Sequence, residues 1–187
     1  LTVDDRRDEL MQACLHLIGA RPWDEVSMAE VAAAAGVSKP LLYHYFSTKS
    51  DLYLSAIRSA AHELSEATRP DPTLPARRRL VKALSAHLDW IDEHALAYRA
   101  ILQGGLSSDR DVQSIVEEAR ADVVVRLAEA FGSGIPSPAE RIAFRGWVGF
   151  LEAACLDWLV ARDITKPQLT RLLAASVSGA RAAALAE

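Results

Sequence analysis

The chain has 187 residues, half of them hydrophobic and a quarter charged, which is ordinary for a globular protein. That length allows one domain with a full core, or a small domain packed on a larger one. Its formal charge of −4 argues against a protein that coats nucleic acid nonspecifically, which would need a basic stripe.

No apolar run is long enough to cross a bilayer, and the charged N-terminus is no signal peptide, so the expected location is cytoplasmic, with no membrane partner. Alanine and leucine abound and β-branched alternation is scarce, so the fold class reads all-α, with about nine helices. The first runs from Asp4 to Gly19, with acids in its first turn where they complement the helix dipole. Leu10, Cys14, Leu17 and Ile18 recur on one face. Arg21-Pro22-Trp23 breaks it, and Trp23 reads as a core plug.

Ser27 is an N-cap, and Glu30 three residues later completes a capping box. Ala29, Val31, Ala32 and Ala35 follow with helical spacing. Gly36 supplies the positive φ that ends a helix sharply, and Val37 tucks under the turn. Ser38 opens a second short helix with Lys39 and Pro40 in its first turn, where a missing N–H costs nothing. Two helices joined by a short glycine-containing turn form a helix-turn-helix, here over residues 27–46. The second helix of such a pair is built to enter the DNA major groove.

Ser47 ends that helix, and Thr48 caps a long one running to about Thr68 with an apolar stripe of Leu52, Ala56, Ala60 and Leu64. The proline-rich stretch Arg69–Pro75 is a rigid connector. Arg77-Arg78-Arg79 then reads as a solvated helix face, with Leu80, Leu84, Leu88 and Ile91 buried opposite. His94 to Gln103 makes a sixth helix, closed by Gly104-Gly105. Asp109 caps a seventh, whose Val112, Val116, Val123 and Leu127 share a face. After a loop over Gly132–Pro138, two helices span Ala139 to about Arg162 and Pro167 to Ala184.

In the first of these, Phe144, Trp147, Val148, Leu151, Ala154, Cys155 and Trp158 cover a face wider than one neighbour requires. Arg145, Gly149 and Glu152 form a narrower polar stripe. Burial on both sides implies a second subunit, and the small residues Ala174, Ala175, Ser178, Gly179 and Ala182 of the last helix permit close approach.

The run Gly36-Val37-Ser38, then Leu42-Tyr43, Phe46 and Lys49, resembles the signature of TetR-type transcriptional regulators over about residues 22–53. Pro40 and Tyr45 stand where that family more commonly has glycine and histidine. The resemblance implies a DNA-binding domain over residues 1–50 and a larger helical ligand-binding and dimerisation domain over residues 51–187. It also implies a homodimeric, ligand-responsive repressor on a palindromic double-stranded operator, with a small-molecule effector and no cofactor.

Lys39 and Leu41, on the first turn of the second helix, are expected to reach base edges, lysine favouring guanine and leucine a thymine methyl. Tyr43 and His44 suit phosphate contacts. Lys49 adds its charge to the free N–H groups of the next helix start. With Ser27, Ser38, Pro40 and Tyr45 these make up the expected DNA-binding set, while Leu42 and Phe46 face the core. Residues 1–69 hold seven basic side chains against ten acidic ones, so affinity must come from a few placed groups used twice by a dimer.

The resemblance further implies a ligand pocket enclosed by helices carrying Trp90, His94, Tyr98, Arg99, Gln103, Trp147 and Phe150. The alternative is a helical enzyme or small-molecule-binding protein without DNA binding. Against an enzyme, the chain has no His-Glu-x-x-His, glycine-rich phosphate loop or nucleophile elbow. His87, Asp89, Asp92 and His94 lack metal-ligand spacing, and Cys14 and Cys155 read as buried thiols.

Overall fold

The computed structural model describes residues 2–103 and 110–186. The expected Gly104-Gly105 stop and Asp109 cap lie outside the described residues, as does the side chain of Gln103. Among the described residues nine α-helices follow in order: α1 (Val3–Ala20), α2 (Met28–Ala34), α3 (Lys39–Tyr45), α4 (Lys49–Ala67), α5 (Ala76–Glu93), α6 (Ala95–Gln103), α7 (Arg110–Ala130), α8 (Pro138–Ala161) and α9 (Lys166–Leu185). A 3₁₀ turn over Trp23–Glu25 joins α1 to α2. Among the described residues there is no strand, and no helix is long and apolar enough to cross a membrane.

The chain divides into two compact units. The first comprises the residues up to Glu63 together with His94–Val116, and the second comprises Leu64–Glu93 together with the chain from Glu117 onwards.

In the first unit, Leu10 and Cys14 of α1, Val31 of α2, Leu42 of α3 and Leu52 and Ala56 of α4 are fully buried. Burial pushes the Cys14 thiol up to about 12, which makes it an inert apolar filler. Helix α1 also packs along α6. Their approach is set by Gly19: a Cβ built there would lie 2.4 Å from the Leu96 Cβ and 2.9 Å from its carbonyl carbon. Thr48 Oγ1 accepts the Asp51 N–H at 3.0 Å, so the long helix starts where its cap predicts.

The second unit is built on α8 and α9, which pack together, with α5 laid across α9. Phe144, Cys155, Leu173 and Val177 are fully buried. Trp147 Nε1–H donates to Ser176 Oγ at 2.9 Å, and Trp158 Nε1–H donates to the Ile164 carbonyl at 2.8 Å. Asp92 holds both Arg162 (2.6 Å) and Lys166 (3.0 Å), tying α5 to the α8–α9 corner.

Three expectations about apolar faces shift. On α7 the buried positions are Val112, Ile115, Val124, Leu127 and Ala128, whereas Val116 and Val123 are half-buried on the edge of the stripe. Ala29 of α2 is exposed, and Met28 takes the core position. On α8 the polar stripe is only partly turned to water: Glu152 accepts two hydrogen bonds from Arg120 (2.8 and 2.7 Å), whereas Arg145, paired with Glu117 at 2.9 Å, is half-exposed and Gly149 is exposed. The exposed strip of α8 is largely apolar and small, with Ile142, Gly146, Gly149, Phe150, Ala153 and Val160, interrupted by Asp157. On α9, Leu172, Ala175, Gly179 and Ala182 are likewise exposed. Neither Gly146, Gly149 nor Gly179 has a neighbour within 4 Å of a built Cβ among the described residues.

Candidate nucleic-acid interface and internal cavity

Helix α2 is held at its start by a reciprocal cap. The Glu30 N–H donates to Ser27 Oγ (3.3 Å), and the Ser27 N–H donates to Glu30 Oε2 (2.8 Å). Arg21 pairs with Glu30 at 2.6 Å. That guanidinium first, then the Ser27 hydroxyl and N–H, hold the Glu30 carboxyl down to about 2. The Ser27 hydroxyl is thus occupied within the cap, donating to Glu30 Oε2 at 2.7 Å.

Gly36, at φ +66°, closes α2. Its N–H donates to the Ala33 carbonyl (3.1 Å), and the Val37 N–H donates to the Ala32 carbonyl (2.9 Å), the paired bonds of a Schellman stop. Nothing described lies within 4 Å of a Cβ built on Gly36, so the left-handed backbone alone asks for glycine.

Ser38 caps α3 by accepting the Leu41 N–H at 3.3 Å, and Pro40 sits in the first turn. Seven residues make α3 too short to be stable alone. It is seated by Leu42 and Phe46, both fully buried. Opposite them Lys39, Pro40, Leu41, Tyr43 and His44 are exposed, forming one outward face, with the Lys39 ammonium 5.9 Å from the Tyr43 ring centre. Leu41 and Tyr43 are 39% and 44% exposed, so this face offers apolar surface as well as charge.

Tyr45 is half-buried, and its ring meets His44 edge-on at 5.6 Å. Its carbonyl accepts Arg7 Nη1–H at 3.0 Å, while the Arg7 guanidinium lies 4.3 Å above the Phe46 ring. Arg7 therefore clamps the end of α3 from α1. Sequence patterns missed it because a single arginine 38 positions away carries no periodic signal.

Lys49 points inward rather than out. Its ammonium donates to the Trp23 carbonyl at 2.8 Å and the Asp24 carbonyl at 3.3 Å, and lies 4.5 Å from the Trp23 ring centre. Trp23 in turn stacks on buried Tyr53 at 4.6 Å. Lys49 thus latches the 3₁₀ turn onto α4.

The second unit contains a narrow cavity, ≈ 80 Å³ in free volume, walled by Leu80, Ala83, Leu84, Val123, Leu127, Trp147 and Leu151 among others. The polar groups in the wall are Thr68, Arg79, His87 and Arg126. Burial pushes His87 down to about 4, so it is neutral at physiological pH. Arg126 is neutralised by Asp122 at 2.7 Å, and it also donates to the Ser65 carbonyl (2.8 Å) and the Ser65 hydroxyl.

Of the residues expected to bind ligand, Trp147 lines this cavity. Phe150 is 42% exposed on the outer strip of α8, and Trp90 is buried outside the cavity wall. His94, Tyr98 and Arg99 belong to the first unit, with Arg99 exposed and His94 at 3.9 Å from Glu63.

Two family models match the chain. Residues 10–56 match bacterial regulatory proteins of the tetR family, and residues 76–179 match the tetracyclin repressor-like C-terminal domain. The HTH-type transcriptional activator FasR of Mycolicibacterium smegmatis is 31% identical over 161 residues, covering 83% of this chain and 73% of that one. A tetR-family transcriptional regulator from Streptomyces coelicolor superposes with a TM-score of 0.87 at 29% identity, covering 98% of this chain and 83% of that one. FadR from Bacillus subtilis, solved in complex with stearoyl-CoA, shares the fold at a TM-score of 0.68 and 16% identity, covering 92% of this chain and 96% of that one.

Proposed function

The chain belongs to the TetR family and is a DNA-binding transcriptional regulator of the helix-turn-helix class, and from that premise we propose that it binds a palindromic operator as a homodimer and represses there until an effector releases it. The observation that carries this reading is the outward face of α3. Lys39, Leu41, Tyr43 and His44 are exposed on a helix whose opposite side is locked by Leu42 and Phe46.

Lys39 and Leu41 read base edges, and Tyr43, His44 and Ser38 touch phosphates. Pro40 and Tyr45 shape the approach of the α3 backbone to the duplex, and Ser27 presents the start of α2 beside it. Lys49 enters through its place at the start of α4, where N–H groups of a helix end attract phosphate, rather than through its ammonium. Residues 1–50 form the DNA-binding domain, and residues 51–187 carry the dimer contact and the effector cavity, in a protein of the cytoplasm, where the operator is.

The exposed strip of α8 and α9 supports the dimer. Helical glycine costs about 1 kcal/mol against alanine. Gly146, Gly149 and Gly179 have no described neighbour in their own chain that requires them. A second copy packed closely against this strip supplies a reason, and two-fold symmetry then places two α3 helices on half-sites roughly 34–36 Å or a multiple apart. The effector reading is supported by the cavity beside Trp147 and by the acyl-CoA held in the FadR of this fold.

Selection of bound sequences from random DNA tests the reading, with a palindrome as the expected result. Lys39→Ala and Leu41→Ala should each shift the selected sequence, by about 1–3 kcal/mol of discrimination for a good base contact. Uniform weakening on all sequences would move both residues from base reading to the phosphate backbone.

A further inference from the structure

Building on the reading that the second-unit cavity takes the effector, we propose that this effector is a compact apolar monocarboxylate whose carboxylate pairs with Arg79. Three observations fit together. The wall is apolar apart from a few groups, so the body of the ligand is apolar. Its charged groups are both arginines, with no carboxylate in the wall, so a cationic ligand meets only repulsion.

The two arginines are not equivalent. Arg126 is neutralised by Asp122. Arg79 is half-buried with its Nε shut off from solvent, and its guanidinium makes no hydrogen bond or ion pair with any described residue. An unmatched, partly desolvated guanidinium at an apolar cavity is a bidentate receptor for a carboxylate, because its planar fork matches that group.

Size limits the remainder of the ligand. A free volume of ≈ 80 Å³ corresponds to about six water-sized places. That admits a tail of roughly that many heavy atoms beyond the carboxylate, as in octanoate or a small aryl acid.

The test is titration of the whole chain with octanoate, 1-octanol and octyltrimethylammonium, by calorimetry and thermal melting. Octanoate should bind one per chain and raise the melting temperature, and the alcohol and ammonium should be roughly tenfold weaker or worse, the scale of one charge-assisted hydrogen bond in a desolvated site. Arg79→Gln should weaken octanoate by at least about tenfold and leave octanol unchanged, and Arg79→Lys should restore part of the loss. Should Arg79→Gln fail to melt cooperatively, the preference of the unmodified chain for octanoate over octanol decides.

Equal binding of alcohol and acid, displacement by the ammonium, an unaltered Arg79→Gln, or no binding by any probe overturns the proposal. Octanoate binding without release of DNA keeps the ligand assignment and removes the effector reading. Release of DNA by a neutral or cationic compound alone does the reverse.

Discussion

Replacing Lys49 with methionine separates two roles that a lysine at this point can have. The ammonium donates to the Trp23 carbonyl at 2.8 Å and stands 4.5 Å from the Trp23 ring centre. A hydrogen bond from a charged group contributes about 1.5–3 kcal/mol, and a cation over an aromatic ring adds roughly 0.5–1 kcal/mol. Methionine keeps most of the aliphatic stem and removes both. With residual solvation of the freed carbonyls, a net loss near 2 kcal/mol is expected, the low end of the sum. For a chain of this length that is a fall of about 4–8 °C in melting temperature. The companion measurement is DNA affinity across a salt series. If the ammonium stays inside, the slope of log K against log salt is unchanged. If it instead rests on a phosphate in each half-site, the slope falls by about 1.8 for the dimer, at 0.9 per phosphate. An unchanged melting temperature together with that fall would refute the latch.

Gly36→Ala should lower stability by about 1–2 kcal/mol through the left-handed backbone alone, since a Cβ there meets nothing described within 4 Å; chemical denaturation measures it. Gly19→Ala should also destabilise, for the opposite reason. Its Cβ would sit 2.4 Å from the Leu96 Cβ, and overpacking of about 1–3 kcal/mol outweighs a helix-propensity gain below about 1. Leu96→Ala should fail to rescue it, because the clash is with Cβ and backbone, and a rescue would show that the helices simply slide apart. Acid should act through Glu30, whose folded carboxyl is held down to about 2, against an ordinary 4.5, by Arg21 and the Ser27 cap. Its contribution is whole above about 4.5 and is lost as pH falls towards 2. Glu30→Gln should flatten that part of a melting-temperature-against-pH curve, and an unaltered curve would remove the Arg21–Glu30 pair from the account.

What was legible in the sequence was local. Ser27 with Glu30, Gly36, Ser38 with Pro40, and Thr48 each act on backbone groups within a few residues, so spacing alone identifies them. Leu42 and Phe46 were legible because one helical turn puts them on one side. Lys49 was not, because a charge in a sequence says nothing of whether its partner is water, phosphate or a carbonyl 26 residues back. The same holds for the polar stripe of α8, whose Glu152 finds Arg120 across 32 residues. The cavity was the least legible part. Trp147 lines it, but in the sequence Arg79 is one of three consecutive arginines, and nothing local distinguishes it from its exposed neighbours Arg77 and Arg78.

The two sides of α3 have a consequence for how such a regulator changes over generations. What seats the helix is Leu42 and Phe46, fully buried, with Arg7 holding its far end. What faces outward is a separate group of side chains that the fold barely uses, and substitutions at such surface positions usually move stability by no more than about 0.5 kcal/mol. On the proposed reading of α3, a duplicated copy of this chain can therefore drift to a new operator through Lys39 and Leu41, and adjust its affinity through Tyr43 and His44, without passing through an unfolded ancestor. Any route through Leu42 or Phe46 is closed by the core, so on that reading the repertoire of operators open to its descendants is written in Lys39 and Leu41.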